Sequence, residues 1–243
     1  MLRTLLFAAI GSLMLSTTAQ SAMIFFGEDT NPGGTVPAGG NAETARNSFL
    51  SNLVGVGNEN FEGIASGTSA NGLALSFPGS MGALTATISG SGAAFVDNSP
   101  GAGRFATSGS QFLENVRVGF NLAFSGPVAA FGFYGTDIGD INSQLSLTLT
   151  GGAVQNFDIG HTLNGPSGGL LFWGIIADNA SETFTSIAFA GTSSGDAFGF
   201  DDMVIGDLDQ VVSPIPLPAA LPLFAAGLGL MGMVNRRRKH ATA

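Results

Sequence analysis

The chain contains no cysteine, so no disulfide staples it in any compartment and a buried core must hold the fold unaided. Charge is sparse as well: Asp, Glu, Lys and Arg make up 10% of the 243 residues, which is too little for a charged disordered tail. Basic residues are the scarcest, eight against 17 acidic ones, and this excludes the basic patch that a nucleic-acid partner requires. With His161 and His240 as the two histidines, there is no His pair for a zinc site, and acid–base chemistry in the body of the chain would rest on His161 alone. Trp173 and Tyr134 are the single Trp and Tyr, so the chain has no cluster of rings on which a sugar could stack. No Gly-rich loop ends in Lys-Ser/Thr to cradle a phosphate.

What remains is glycine and apolar side chains. Glycine contributes 37 residues and the apolar fraction is 44%. From Phe61 onward, short apolar or alternating runs are punctuated by Gly, Ser, Asn and Pro: 73–77, 83–88, 116–124, 128–134, 145–149, 170–176, 184–190 and 198–205. Eight such runs with almost no helical period between them predict an all-β fold, an antiparallel jelly-roll-like β-sandwich over residues 61–209. Two of the runs echo each other, Ala130-Phe131-Gly132-Phe133 and Ala197-Phe198-Gly199-Phe200. Strand alternation puts both Phe of each pair in the core and turns the Gly outward, where it admits a close neighbour. Trp173, inside an apolar run, is expected in the core. Residues 23–60 read as a loop and a short helix leading into the domain. The helix is expected to be capped by Asn41 and to use Ala42, Ala45, Phe49 and Leu53 as its buried face.

Both ends carry export signals. Residues 1–22 pair one basic residue, Arg3, with the apolar run Leu5 to Leu15 and a small-residue close. That order is a secretory signal peptide, with Ala19, Ser21 and Ala22 marking the signal peptidase site. Residues 210–243 begin with a Pro-rich stretch and continue with an uncharged run over about 215–234, long enough for a transmembrane helix across ~30 Å of hydrocarbon. Arg236, Arg237, Arg238 and Lys239 follow as a basic stop that stays cytoplasmic. Between the two ends, Arg46, Arg104 and Arg117 stand against all 17 acidic residues, a formal charge of −14.

The C-terminal order of motif, apolar span and basic stop resembles the PEP-CTERM sorting tails of Gram-negative bacteria, in the Val-Pro-Leu-Pro-Ala variant. Here Ile215 takes the first place before Pro216, Leu217, Pro218 and Ala219. The resemblance covers about the last 30 residues. It implies recognition and cleavage by an exosortase, a host that makes exopolysaccharide, and a product in the cell envelope or biofilm matrix, at least transiently anchored in the membrane.

Candidate chemistry centres on a split acidic pair. Phe61-Glu62-Gly63 opens the β region and Phe200-Asp201-Asp202-Met203 closes it. This is similar to jelly-roll modules of the MAM type, although their cysteines are missing here. The similarity implies a structural Ca²⁺ held by Glu62 and Asp202, with Asp201 as the alternative, because alternation would turn the two aspartates opposite ways. Asp137, Asp140 and Asn142 read as a turn, since their order does not match a helix-loop-helix calcium site. The Gly-x-Ser-x-Gly matches at Ser167 and Ser193 lead into strands, not from a strand into a helix as a nucleophile elbow requires. The sequence therefore predicts an exported, non-enzymatic cell-surface or matrix protein. A secreted carbohydrate-binding module of the same fold is the alternative, with exopolysaccharide as partner, and a secreted hydrolase is the weakest reading.

Overall fold

The computed structural model describes residues 22–212 apart from 91–93, 116–118, 139–142, 163–167 and 192–196. The chain divides into a unit Met1–Val211 and a unit Val212–Ala243. The cleavage residues Ala19 and Ser21, the motif Pro216 to Ala219, the apolar span and the basic stop Arg236 to Lys239 all lie outside the described residues. Among the described residues no helix is long and apolar enough to cross a membrane.

Two antiparallel sheets face each other. The first places its strands in the order β1 (Met23–Asp29), β11 (Leu170–Ile176), β8 (Ala130–Thr136), β13 (Phe198–Gly206), β6 (Phe112–Asn115) and β5 (Ala94–Asp97), with β2 (Asn58–Glu59) pairing beside the end of β13. The second runs β10 (Val154–Asp158), β9 (Ser143–Leu149), β12 (Phe184–Gly191), β7 (Phe120–Val128), β4 (Leu84–Ser89) and β3 (Ala74–Phe77). The predicted β-sandwich is thus the architecture, and the core lies where the inner faces meet. Phe131, Phe133, Phe198 and Phe200 all belong to that core, and Trp173 packs there 1% exposed. Phe200 alone meets Phe120, Phe133, Phe189 and Phe198, with ring centroids 4.7–5.2 Å apart. An aromatic lattice of this kind supplies the cohesion that a cysteine-free domain must find elsewhere.

Glycines on neighbouring strands β8 and β11 open the outer face of the first sheet. A Cβ on Gly132 would sit 2.9–3.1 Å from the rings of Phe172 and Phe49, and one on Gly174 would meet the same two rings. The gap lets α1 (Asn41–Leu50) lie close on that face with Ala42, Ala45 and Phe49 buried. Its N-terminus is capped from a distance. The Asp29 carboxylate, at the end of β1, accepts hydrogen bonds from the Asn41 and Ala42 N–H groups, both at 3.0 Å. The expected Asn41 cap is replaced by this carboxylate, and the Asn41 side chain instead donates to the Glu28 carbonyl.

Residues 23–29, expected as a loop, form the edge strand β1. Met23 to Phe26 pair with Ile176 to Trp173, and the run lies too near the expected signal peptide to stand out in the sequence. Among the described residues nothing is packed over the second sheet's outer face. Its register sets Ala74, Thr87, Ala123, Ser186, Thr148 and Val154 side by side in one row across all six strands.

Replacing Phe200 with Ala should cost about 3–5 kcal/mol of stability and lower the melting temperature sharply. Met81→Ala, at a side chain 95% exposed, should leave it unchanged. Calorimetry of both variants checks the placement of β13, and equal melting temperatures would refute it.

Candidate functional site

Residues 107–111 lead into β6, and side chains from both ends of the β region fasten them. Asp201 Oδ2 accepts from the Thr107 N–H (2.7 Å), the Ser108 N–H (3.1 Å) and the Thr107 hydroxyl (2.9 Å). Its other oxygen accepts from the Asp202 N–H at 2.7 Å. Asp202 Oδ1 accepts from the Asn58 amide (2.6 Å) and the Ser108 hydroxyl (2.9 Å), while Oδ2 lies 3.0 Å from the Thr107 hydroxyl. Glu62 holds the far end of the same segment, accepting from the Ser110 and Gln111 N–H groups, each at 2.6 Å. Gly109 (φ +64°) sits between them, where a Cβ would come 2.5 Å from the Glu62 carboxyl.

The two aspartates do not face opposite ways. A register shift between Asp201 and Val204 breaks the alternation, and Asp202 takes φ +48°, a left-handed conformation that Asp tolerates better than most residues. Both carboxyls therefore turn to one hydroxyl, Thr107 Oγ1. That hydroxyl has a single hydrogen and cannot donate to both. A proton on one carboxyl resolves the conflict by donating to Thr107 Oγ1 in turn. Burial, and after it the negative charge of Asp202, pushes the Asp201 carboxyl from 3.8 up to about 7, so the pair keeps a proton well above the usual carboxylate range. Glu62 is shifted the other way, held below its ordinary value by the N–H groups of Ser110 and Gln111.

This donor pattern decides how the cluster treats a cation. Calcium takes six to eight oxygen ligands, but N–H donors already occupy Asp201 and Glu62, and the Asn58 amide occupies Asp202. Glu62 and Asp202 are brought to one loop, yet each grips a different part of it. As built, these donors compete with any cation for the cluster's carboxyl oxygens. Among the described residues no group of three or more His, Cys, Asp or Glu side chains could hold a metal ion.

A second polar cluster, which sequence patterning did not single out, lies beside the start of β13, where Glu114 pairs with Gly199. Arg104 Nε pairs with Glu114 at 2.9 Å, and its NH1 lies 3.7 Å from Asp137, whose other oxygen accepts from the Gly168 N–H at 2.9 Å. A shallow cavity of about 340 Å³ lies beside it, lined by Gly34, Pro100, Gly103, Arg104, Phe105 and Gly168. One cation held between two buried acids ties loops together and leaves no free anion site. His161 is buried, and neighbouring Thr162 donates to Glu28 through its N–H at 3.1 Å and its hydroxyl at 2.7 Å. Ser167, Ser193, Asp140 and Asn142 lie outside the described residues.

No family model matches the chain, and no curated protein does. Among solved structures, the C-terminal family 22 carbohydrate-binding module of Clostridium thermocellum Xyn10B is 19% identical, with a TM-score of 0.35 over 63% of this chain and 94% of that one. The xylan-binding module from Paenibacillus barcinonensis Xyn10C is 15% identical, with a TM-score of 0.36 over 65% and 94%. The K2 adhesin domain of Lys-gingipain is 14% identical, with a TM-score of 0.35 over 61% and 96%. Superpositions this loose assign neither family nor ligand.

The raised carboxyl has a measurable consequence. Between pH 3.8 and about 7, Asp201 is ionised in the unfolded chain but protonated in the folded one. Its contribution to stability therefore falls as the pH rises through that window and is level above it. Asp201→Asn should remove this slope. Glu62 acts oppositely at lower pH, since its contribution is present above 4.5 and lost as the pH falls through its lowered value. Denaturant unfolding of wild type and Asp201→Asn from pH 4 to pH 8 checks the Asp201 sign, and the same comparison with Glu62→Gln below pH 4.5 checks the other. Millimolar calcium should leave the melting temperature unchanged. A calcium-dependent rise that disappears in Glu62→Gln and Asp202→Asn would show that the cation displaces these donors.

Proposed function

We propose that this chain is an exported, non-catalytic β-sandwich that works by binding polysaccharide at the cell surface or in an exopolysaccharide matrix. Delivery rests on the sequence: a signal peptide over residues 1–22, and a tail in which Pro216, Leu217, Pro218 and Ala219 present an exosortase with its motif. The apolar span over about 215–234 gives at least transient anchoring, and Arg236 to Lys239 stop transfer.

One observation carries the non-catalytic reading. Asp201, Asp202, Glu114 and Asp137 are each at most 6% exposed, and backbone N–H groups, hydroxyls, the Asn58 amide and Arg104 hold their carboxyl oxygens. A carboxylate pair sealed this way cannot reach a glycosidic bond or activate a water beside one. Carbohydrate binding is favoured over an inert matrix filler by the uncovered, uncharged row across the second sheet.

Mass spectrometry of the mature protein from its native host tests the delivery. The expected N-terminus lies at Ala22 or Met23, and peptides covering Met231 to Lys239 should be absent from the surface form. Replacing Pro216, Leu217 and Pro218 with Ala should leave an unprocessed, membrane-retained chain. Mature surface protein that still carries Met231 to Lys239 would contradict cleavage.

A further inference from the structure

We infer that the outer face of the six-stranded sheet is the polysaccharide-binding surface, and that its ligand is a long, neutral, hydroxyl-rich chain. This rests on the binding reading above and gives it a location and a ligand class.

The first ground is the make-up of the face. Beside the row that runs from Ala74 to Val154, a second row sets Ser89, Asn121, Ala188, Ser146 and Asn156 side by side. Ser146 donates to Asn156 at 2.6 Å within it. A third places Ser76 opposite Thr85, whose N–H donates to the Ser125 hydroxyl at 3.0 Å. None of these residues is charged, and the first acid is Asp158, at the end of edge strand β10. The first sheet offers no equivalent, because α1 and the buried residues around Phe105 and Tyr134 cover its outer face.

The second ground is charge. The region between the two export signals carries a formal −14, so it repels polyanions, and two copies stacked face to face would repel each other as well. A neutral polymer meets neither cost on a face without charge. Its hydroxyls can replace water on Ser, Thr and Asn groups that both donate and accept. Strands about 4.8 Å apart repeat those groups at a regular spacing across the sheet.

The third ground is the absence of an aromatic platform from these rows. With no ring to hold a single sugar, affinity must come from many weak contacts along one chain. The face should therefore retain polymers and ignore short oligosaccharides.

The test uses the full chain and a panel of neutral polymers, namely cellulose, curdlan and galactomannan, with alginate as the polyanion and cellotetraose as the short competitor. Wild type should be retained by at least one neutral polymer, not by alginate, and cellotetraose should not release it. Thr87→Glu combined with Ser186→Glu should weaken retention at least about tenfold, because an uncompensated charge is set against the ligand. Asn121→Glu, at an exposed position, should do the same if the double variant folds poorly. Met81→Glu, off the face, should have no effect. Retention that survives both face variants would overturn this location and leave polysaccharide binding standing elsewhere on the domain. No retention on any neutral polymer would overturn the binding reading itself. Equal retention on alginate would overturn the neutral class. Concentration-dependent self-association that the face variants abolish, without polymer retention, would make the face a contact between copies.

Discussion

The structure depends on one hydrogen-bonded contest. Two adjacent carboxyls, Asp201 and Asp202, are buried against a single hydroxyl, Thr107 Oγ1. Neither can be left bare, because a buried charge without partners is more costly than any one contact around it is favourable. The chain meets the constraint by wrapping residues 107–111 over the pair, donating backbone N–H groups and keeping a proton. Glu62 fixes the other end of that wrap. The start of the β region, the segment before β6 and the last strand β13 are joined here across more than a hundred residues of sequence, as a disulfide would join them in a chain that had one.

The rest of the domain answers a different constraint, that of packing without cysteine and with little charge. Phenylalanines fill the space between the sheets, and glycines on the reverse of the same strands let Phe49 and Phe172 come close from outside. The same alternation that turns Phe131 and Phe133 inward turns Gly132 outward. Compactness on one face of the first sheet and helix docking on the other therefore arise from a single pattern. The outward positions of the second sheet are mostly Ser, Thr, Ala and Asn, and among the described residues nothing is packed over them.

Much of this was legible in the sequence, and the misses have physical reasons. The sandwich, the four core phenylalanines, buried Trp173 and three of the four expected contacts of α1, Ala42, Ala45 and Phe49, followed from periodicity, which reports burial directly. Leu53 lies beyond the helix end at Leu50, half-buried and bridged to Val211. The strand β1 was missed because it abuts the expected signal peptide, and β5, β6 and β10 because polar residues break up their short runs. The Asp201–Asp202 geometry could not be read, since a bulge and a positive φ at Asp202 cancel the alternation that local reasoning assumes. Thr107, Ser108 and Asn58 gave no signal at all: a Thr-Ser-Gly-Ser run reads as a loop, and its value lies in partners 93–144 residues away. The uncharged sheet face was equally hidden, because it exists only once the strand register is known.

The central claim is that the 107–111 segment is held as firmly as a strand by carboxylates from both ends of the domain. Native-state amide hydrogen exchange measures this most directly. The N–H groups of Thr107, Ser108, Ser110 and Gln111 should exchange as slowly as those of neighbouring β6, although none of the four lies in a strand. Exchange at the rate of an open loop at all four positions would contradict the account.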